Sequence, residues 1–406
     1  MRQGWQEAKL GDVCTVIAGQ SPSSTAYNDV GDGIPFHQGK KYFGEVFLGD
    51  SNTWTTQITK EAFPGDILMS VRAPVGPINF TNQHVCIGRG LAAIRATEKV
   101  ESKFVYFWLL FKQREIKGNE GAVFASINKR QIESIDLPLP PLPAQKRIVA
   151  ILDEVFAGID TALANTDKNL ANARELFESY LNAVFGRTGQ DWVQVSIGDI
   201  AQVKGGKRVP KGHKLQKEET SHPYVSVADF NERGSVDLSG IKYLDNEVYQ
   251  QINRYTISSS DLYISIAGTI GKTGIVPPEL DGANLTENAC KLVFKDGVFN
   301  RFIYFFTRTK LFREQALKNT RTTAQPKLAL ARLRTIRLGL PSLEEQYALV
   351  QQFDEFWSQA ADLESIYRQK LTALAELKQS LLQKAFSGEL TANTVEAKDT
   401  AEPALA

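Results

Sequence analysis

LPLPPLPAQKRIVAILDE, residues 137–154, is echoed 201 positions later by LGLPSLEEQYALVQQFDE, residues 338–355, and this echo decides how the chain is read. Ile135 pairs with Ile336, Leu139-Pro140 with Leu340-Pro341, Leu142 with Leu343, Gln145 with Gln346, and Asp153-Glu154 with Asp354-Glu355. The register holds through Leu176 and Leu377, Ser179 and Ser380, and Phe185 and Phe386. Upstream it drifts. Trp5 and Leu10-Gly11-Asp12 match Trp192 and Ile197-Gly198-Asp199 at an offset of 187. Asp66-Ile-Leu-Met-Ser70 matches Asp261-Leu-Tyr-Ile-Ser265 at 195, and Val105-Tyr106-Phe107 matches Ile303-Tyr304-Phe305 at 198. Self-similarity of this kind marks a duplicated structural unit. An offset growing from 187 to 201 means that the second globular half has gained 14 residues while 140–186 has gained none. Loops absorb insertions, whereas a rod whose length matters does not.

After each proline leader, apolar residues recur in a mostly 4-3 spacing. The first copy gives Ile148, Leu152, Val155, Ile159 and Phe177; the second gives Phe353, Phe356, Leu363, Leu374 and Leu381. That spacing lays one apolar stripe along a helix, as in a coiled-coil seam. Helices are predicted over 144–186 and 341–390, with Gly186 and Gly388 as C-terminal stops. Each would run about 42 residues, roughly 60 Å. A lone helix of that length rarely holds together, so the two stripes are expected to pack on each other; packing of each helix on its own domain stays open. Residues 1–143 and 187–340 read as mixed α/β domains. Short apolar runs over 65–71, 262–267 and 291–294 alternate with turn residues, and the aromatic stretches Phe104–Ile116 and Phe302–Leu317 read as helices. The fold class is therefore α+β: two pseudo-repeated α/β domains joined by two long helices expected to pack as a coiled coil. Residues 391–406 form a polar tail, expected to be disordered.

With 406 residues, 42% hydrophobic and 23% charged, the chain has the composition of a soluble protein with more than one core. The N-terminus lacks a secretory pattern, no apolar run approaches a membrane span, and Cys14, Cys86 and Cys290 fit neither a disulfide framework nor a metal site. All three read as small core residues, and a cytoplasmic location with no membrane partner is expected. The net charge of +1 hides an uneven distribution. Residues 187–340 carry 23 Lys+Arg against 15 Asp+Glu, while 144–186 carry 4 against 6 and 341–390 carry 4 against 8. A polyanion suits the basic segment and protein contacts suit the acidic ones.

Enzyme motifs are weak. AGTIGKT, residues 267–273, ends like a phosphate-binding loop, but the required earlier glycine falls at Ile266. His37, His84, His213 and His222 lack metal spacing and read as surface or turn residues; there is no G-x-S-x-G elbow and no Asn/Asp-Pro-Pro-aromatic box of adenine methyltransferases. What remains suits nucleic acid. Lys204, Lys207, Arg208, Lys211 and Lys214 sit in KGGKRVPKGHKLQK, residues 204–217, too glycine-rich for a helix and read as a mobile loop for phosphate contact. The matching stretch GQSPSSTAYN, residues 19–28, is uncharged, and its Gln20, Ser21 and Ser23 are candidates for base edges. Arg72 and Arg89 lie on tight turns where an arginine fork could meet guanine, and Thr269, Lys272 and Thr273 lie in the glycine turn. A solvated loop, a plain turn, or an internal carboxylate partner for the arginines would account for the same residues.

The order of globular unit, proline-led helix, globular unit and proline-led helix resembles the specificity subunits of Type I restriction-modification systems, the HsdS family. The motifs carrying the resemblance are LPLPPLPAQKRIVAILDE at 137–154, LKQSLLQKAFSGEL at 377–390 and GDILMSVRAPVG at 65–76. It extends from residue 1 to about 390, although the second leader is thinner in proline than the first. The resemblance implies two target-recognition domains, each reading half of a split, asymmetric site in double-stranded DNA. It implies helices packed as an antiparallel coiled coil that set the spacer and dock two methyltransferase (HsdM-type) subunits, with a motor-nuclease (HsdR-type) subunit as a further partner. No cofactor is expected on this chain; S-adenosylmethionine is expected on the methyltransferase. Recognition loops vary most within the family, so base contacts are not carried over. Two other readings stay open: a DNA-processing enzyme with an unrecognised active site, and a coiled-coil scaffold indifferent to DNA sequence.

Overall fold

The strand that precedes each long helix is the outer strand of a two-stranded ladder, which explains how two offsets coexist. Asp136–Leu139 pairs antiparallel with Gln6–Lys9, and Arg337–Leu340 pairs in the same way with Val193–Ser196. The computed structural model describes residues 4–116, 126–186, 192–317 and 328–390; the tail 391–406 lies outside them. The chain divides into two compact units within the long helices, 1–166 with 369–406 and 167–368.

In the first unit the opening strand runs into the helical turn Leu10–Val13. Leu10 is buried, the Asp12 carboxylate accepts the Lys9 N–H at 2.8 Å, and a Cβ at Gly11 would come within 2.9 Å of Glu133. The Leu-Gly-Asp triplet thus supplies an anchor, a close approach and a cap. A four-stranded antiparallel sheet follows in the order Cys14–Ala18, Leu91–Ala96, Ile67–Ser70, Ile78–Phe80. Ile67–Ser70 is buried along its whole length, which is why it reads as a continuous apolar run. A second sheet of short strands contains Ile34–His37 parallel to Val85–Ile87. The helix Ser102–Lys112 brings Phe104, Phe107 and Trp108 into one core with Ile148, Leu152 and Phe156 of the first long helix and Leu382, Ala385 and Phe386 of the second.

The second unit repeats the plan. Its sheet order is Ala201–Gly205, Ala289–Phe294, Leu262–Ser265, Thr273–Gly274, and Pro223–Val225 runs parallel to Asn284–Leu285. The aromatic helix predicted over 302–317 is broken into Asn300–Thr307 and Lys310–Leu317. The Thr309 hydroxyl accepts the Phe312 N–H at 3.2 Å and restarts the helix. Between its central 3-10 turn and Leu262–Ser265 the unit carries the helix Asn246–Ile252, where the first unit has short strands only.

The long helices are Leu142–Gly186 and Leu343–Ser387, 45 residues each. The first starts two residues before the predicted position because Pro143 fits the opening turn, where a missing N–H costs little. Gly388, at φ +84°, ends the second as expected. The helices pair antiparallel. In the first unit Lys378 reaches Asp160 and lies 5.2 Å from the Phe156 ring. In the second, Arg174 meets Glu364 at 3.3 Å, Phe177 meets Trp357 at 4.9 Å and Tyr180 meets Phe353 at 5.9 Å. Ile148, Leu152, Ile159, Phe177 and Phe353 are buried, while Val155, Phe356, Leu374 and Leu381 are partly buried against the cores. Leu363 is a correction. The inward phase runs through Phe353, Trp357 and Ala360 to Glu364, which leaves Leu363 one position off the seam and exposed.

Candidate nucleic-acid interface

Backbone pairing makes the two candidate loops counterparts. The Gly19 N–H donates to Leu91 O and that of Gln20 to Ile87 O; the Gly206 N–H donates to Ala289 O and that of Lys207 to Leu285 O. Gln20 and Ser21 therefore correspond to Lys207 and Arg208, and Arg89 corresponds to Glu287. In the first unit the Ser21 hydroxyl donates to Gln38 Oε1 at 2.8 Å and accepts the Arg89 N–H at 3.3 Å. In the second, Arg208 Nε donates to Glu287 at 2.5 Å, and this ion pair holds the guanidinium pKa above its usual value. One backbone frame thus presents an uncharged hydroxyl beside an arginine on one unit and an arginine-glutamate pair on the other.

The structure brings several first-unit candidates to one edge. The Val71 N–H donates to Gly90 O, placing Arg72 beside Arg89, and both side chains are exposed. Gln20 is exposed, with its carbonyl accepting the Thr59 hydroxyl. Ser23 is spent locally: its hydroxyl caps the turn Ser24–Ala26, and its N–H donates to Gln57 Oε1 at 2.9 Å.

In the second unit Lys204, Lys207, Arg208, Lys211 and Lys214 are all exposed. The loop that carries most of them is packed on the domain. Val209 and Leu215 pack on a small core of Tyr224, Leu244, Val248 and Ile252, and the Tyr224 hydroxyl donates to Lys207 O at 3.0 Å. The glycine turn joins two antiparallel strands and opens no helix, so it lacks phosphate-loop geometry. Thr269 is exposed at its tip. Lys272 is turned inward, 2.9 Å from Glu232 and donating to Phe230 O, and the Thr273 hydroxyl lies 2.6 Å from that of Thr307. The structure leaves Lys272 and Thr273 with internal partners.

Sequence reasoning missed the residues that seat each globular unit on its helix. Gln145 is buried, accepts the Glu101 N–H at 2.8 Å and donates to Pro140 O at 2.8 Å. Gln346, its counterpart, accepts the Phe299 N–H at 2.8 Å and donates to Pro341 O at 3.0 Å. Asp153 holds Lys103 at 2.6 Å, and Asp354 holds Arg301 through two bonds of 2.6 and 2.9 Å. These pairs were visible as identities at offset 201, without a role attached. Cys14, Cys86 and Cys290 are buried as expected, but His37, read as a surface or turn residue, is fully buried.

A family profile described as Type I restriction modification DNA specificity domain matches residues 2–170 and 189–373. The chain belongs to this family. The EcoBI specificity subunit of Escherichia coli is 22% identical across 97% of this chain and 87% of that one. The specificity subunit assigned to the MjaX enzyme of Methanocaldococcus jannaschii is 42% identical, over 38% of this chain and 37% of its own length. Two solved structures share the fold of this Type I specificity chain. One, described as the structural basis underlying complex assembly and conformational transition of the type I R-M system, aligns over 95% of this chain and 98% of its own with a TM-score of 0.77 at 19% identity. The HsdS subunit from Thermoanaerobacter tengcongensis covers 96% and 98%, with a TM-score of 0.59 at 19% identity. Recognition of DNA sequence is the role of a Type I specificity chain, and no helix among the described residues is long and apolar enough to cross a membrane.

Proposed function

We propose that the chain reads a split, asymmetric target in double-stranded DNA, one half through each globular unit, and presents it to two methyltransferase subunits docked on the paired helices. On this reading the chain is non-catalytic and works in the cytoplasm. S-adenosylmethionine sits on the methyltransferases, which modify adenine, and a motor-nuclease subunit joins for cutting. The observation that carries the proposal is the contrast between scaffold and loop. The Gly-Asp turn led by Leu10 or Ile197, the glutamine clasp and the aspartate ion pair recur in both units, while Ser21 and Arg89 are replaced by Arg208 and Glu287 at matching backbone positions. A duplicated frame with unlike loops suits one duplex read at two unlike half-sites.

The test is to express the full chain with its methyltransferase and sequence methylated adenines genome-wide. A bipartite motif is expected, and exchanging residues 187–340 for those of another specificity chain should alter one half-site only. Alteration of both half-sites, or methyl transfer or cleavage by this chain alone, would refute the reading.

A further inference from the structure

The helix Asn246–Ile252, which has no counterpart among the described residues of the first unit, has two faces with different tasks. Asp245 caps it by accepting the Val248 N–H at 2.7 Å. Its inner face, Val248 and Ile252, is buried with Leu244 and Tyr224, and the lysine loop packs onto that cluster through Val209 and Leu215. Gln216 bridges to Tyr243, and His222 stacks on Tyr249 at 3.8 Å. Loop and helix are thus one block. The outer face carries Glu247, Gln250 and Gln251, with Arg254 one turn beyond Gln250 and Gln251, all exposed. Glu247, Gln250 and Gln251 follow the i, i+3, i+4 pattern and share one side of the helix, and Arg254 lies in the turn that directly follows it. Uncharged amides fill its middle, where a merely solvated helix more often carries charge.

That side has the chemistry of base reading. A glutamine amide offers the donor and acceptor that adenine presents in the major groove, and an arginine fork matches guanine O6 and N7. In the loop packed on the same block Lys207, Lys211, Lys214 and Lys217 are exposed, and Lys207 Nζ lies 5.6 Å from the Tyr255 ring just after the helix. This supplies the positive rim that duplex phosphates require. Resting on the specificity reading above, we propose that this helix enters the major groove of the second half-site. Gln250, Gln251 and Arg254 read bases there, and the loop lysines hold the flanking phosphates.

The experiment uses the full chain with its methyltransferase and reads the methylated motif. Gln250→Ala, Gln251→Ala and Arg254→Ala should each lower discrimination about tenfold or more at one or two positions of the half-site assigned to residues 187–340. The other half-site and the spacer should stay unchanged. Gln251→Arg, which keeps a strong helix former at an exposed position, should change the preferred letter rather than relax it. Lys211→Ala with Lys214→Ala should lower the modified fraction and keep every letter. A triple alanine variant that retains both half-sites at full stringency overturns the proposal, as does a loss of methylation that leaves the letters intact, which would mark the helix as a buttress. Absence of any bipartite motif with the unaltered chain would overturn the specificity reading itself and this proposal with it.

Discussion

His37 makes the first unit acid-sensitive in a way that can be calculated. It is fully buried, neither ring nitrogen has a hydrogen-bond partner, and its ring stands edge-on to Tyr42 at 5.6 Å. Burial lowers its pKa to about 4, with Asp50 pulling weakly the other way. Above the unfolded value of about 6.5 both folded and unfolded forms are neutral, and pH has no leverage through this group. Below it the unfolded chain binds a proton that the folded unit refuses, so stability falls on acidification by roughly 1.4 kcal/mol per pH unit until about pH 4. Between pH 7.5 and 5 the expected loss is about 2 kcal/mol. The equivalent position in the second unit is Val225, which pairs with Leu285 as His37 pairs with Ile87, so the frame accepts an apolar side chain. His37→Leu should match or exceed the parent stability at pH 7.5 by removing two unsatisfied buried nitrogens, and should be spared the 2 kcal/mol loss. Hydrogen exchange in a urea series, read on peptides over 34–48 with 223–236 as internal reference, measures both. Parallel pH profiles for parent and variant would refute the reasoning.

Three further outcomes are expected. Gln145→Leu strands the Glu101 N–H and Pro140 carbonyl and should cost about 1–3 kcal/mol in the first unit, with Gln346→Leu doing the same in the second; thermal unfolding checks both. Lys211→Ala and Lys214→Ala should each flatten the salt dependence of DNA binding by about one unit in the log–log slope, measured with the methyltransferase complex. Seven residues added to each long helix, about two turns, should lengthen the spacer in the methylated motif and leave the half-site letters as they were; changed letters would defeat the ruler idea.

The long helices and the duplication were legible because both rest on period and register, which a sequence displays directly. Pro143 and Gly388 mark helix ends by backbone chemistry alone. The small parallel pairing of Ile34–His37 with Val85–Ile87 was not legible: segments of three or four residues are too short to show a period, and their partners lie far along the chain. His37 was misplaced for the same reason, since its burial depends on that pairing. The Asn246–Ile252 helix did carry a local signal, an aspartate cap at 245 with apolar residues at 248 and 252, overlooked beside the neighbouring lysines. The candidate site divided along similar lines. Exposure of Arg72, Arg89 and the loop lysines followed from their glycine and proline surroundings, whereas the inward turn of Lys272 depends on Glu232 and Phe230, about forty residues away.

The duplication also constrains the target. If both units offered the same groups at matching positions, a pseudo-symmetric protein would favour a palindrome. At the first position after the shared glycine, Gln20 corresponds to Lys207; at the next, Ser21 to Arg208; across the loop, Arg89 to Glu287. The last pair differs in what it offers: Arg89 is exposed with no ion pair among the described residues, whereas Glu287 is held by Arg208. On the proposed reading the two loops prefer different bases at this place, and unlike loops discriminate by mismatch as well as by fit. On that reading, unlike loops on a common frame suit an asymmetric target. Exchanging Arg89→Glu together with Ser21→Arg should move the first half-site toward the second, while either substitution alone should weaken modification by leaving one charge without its partner.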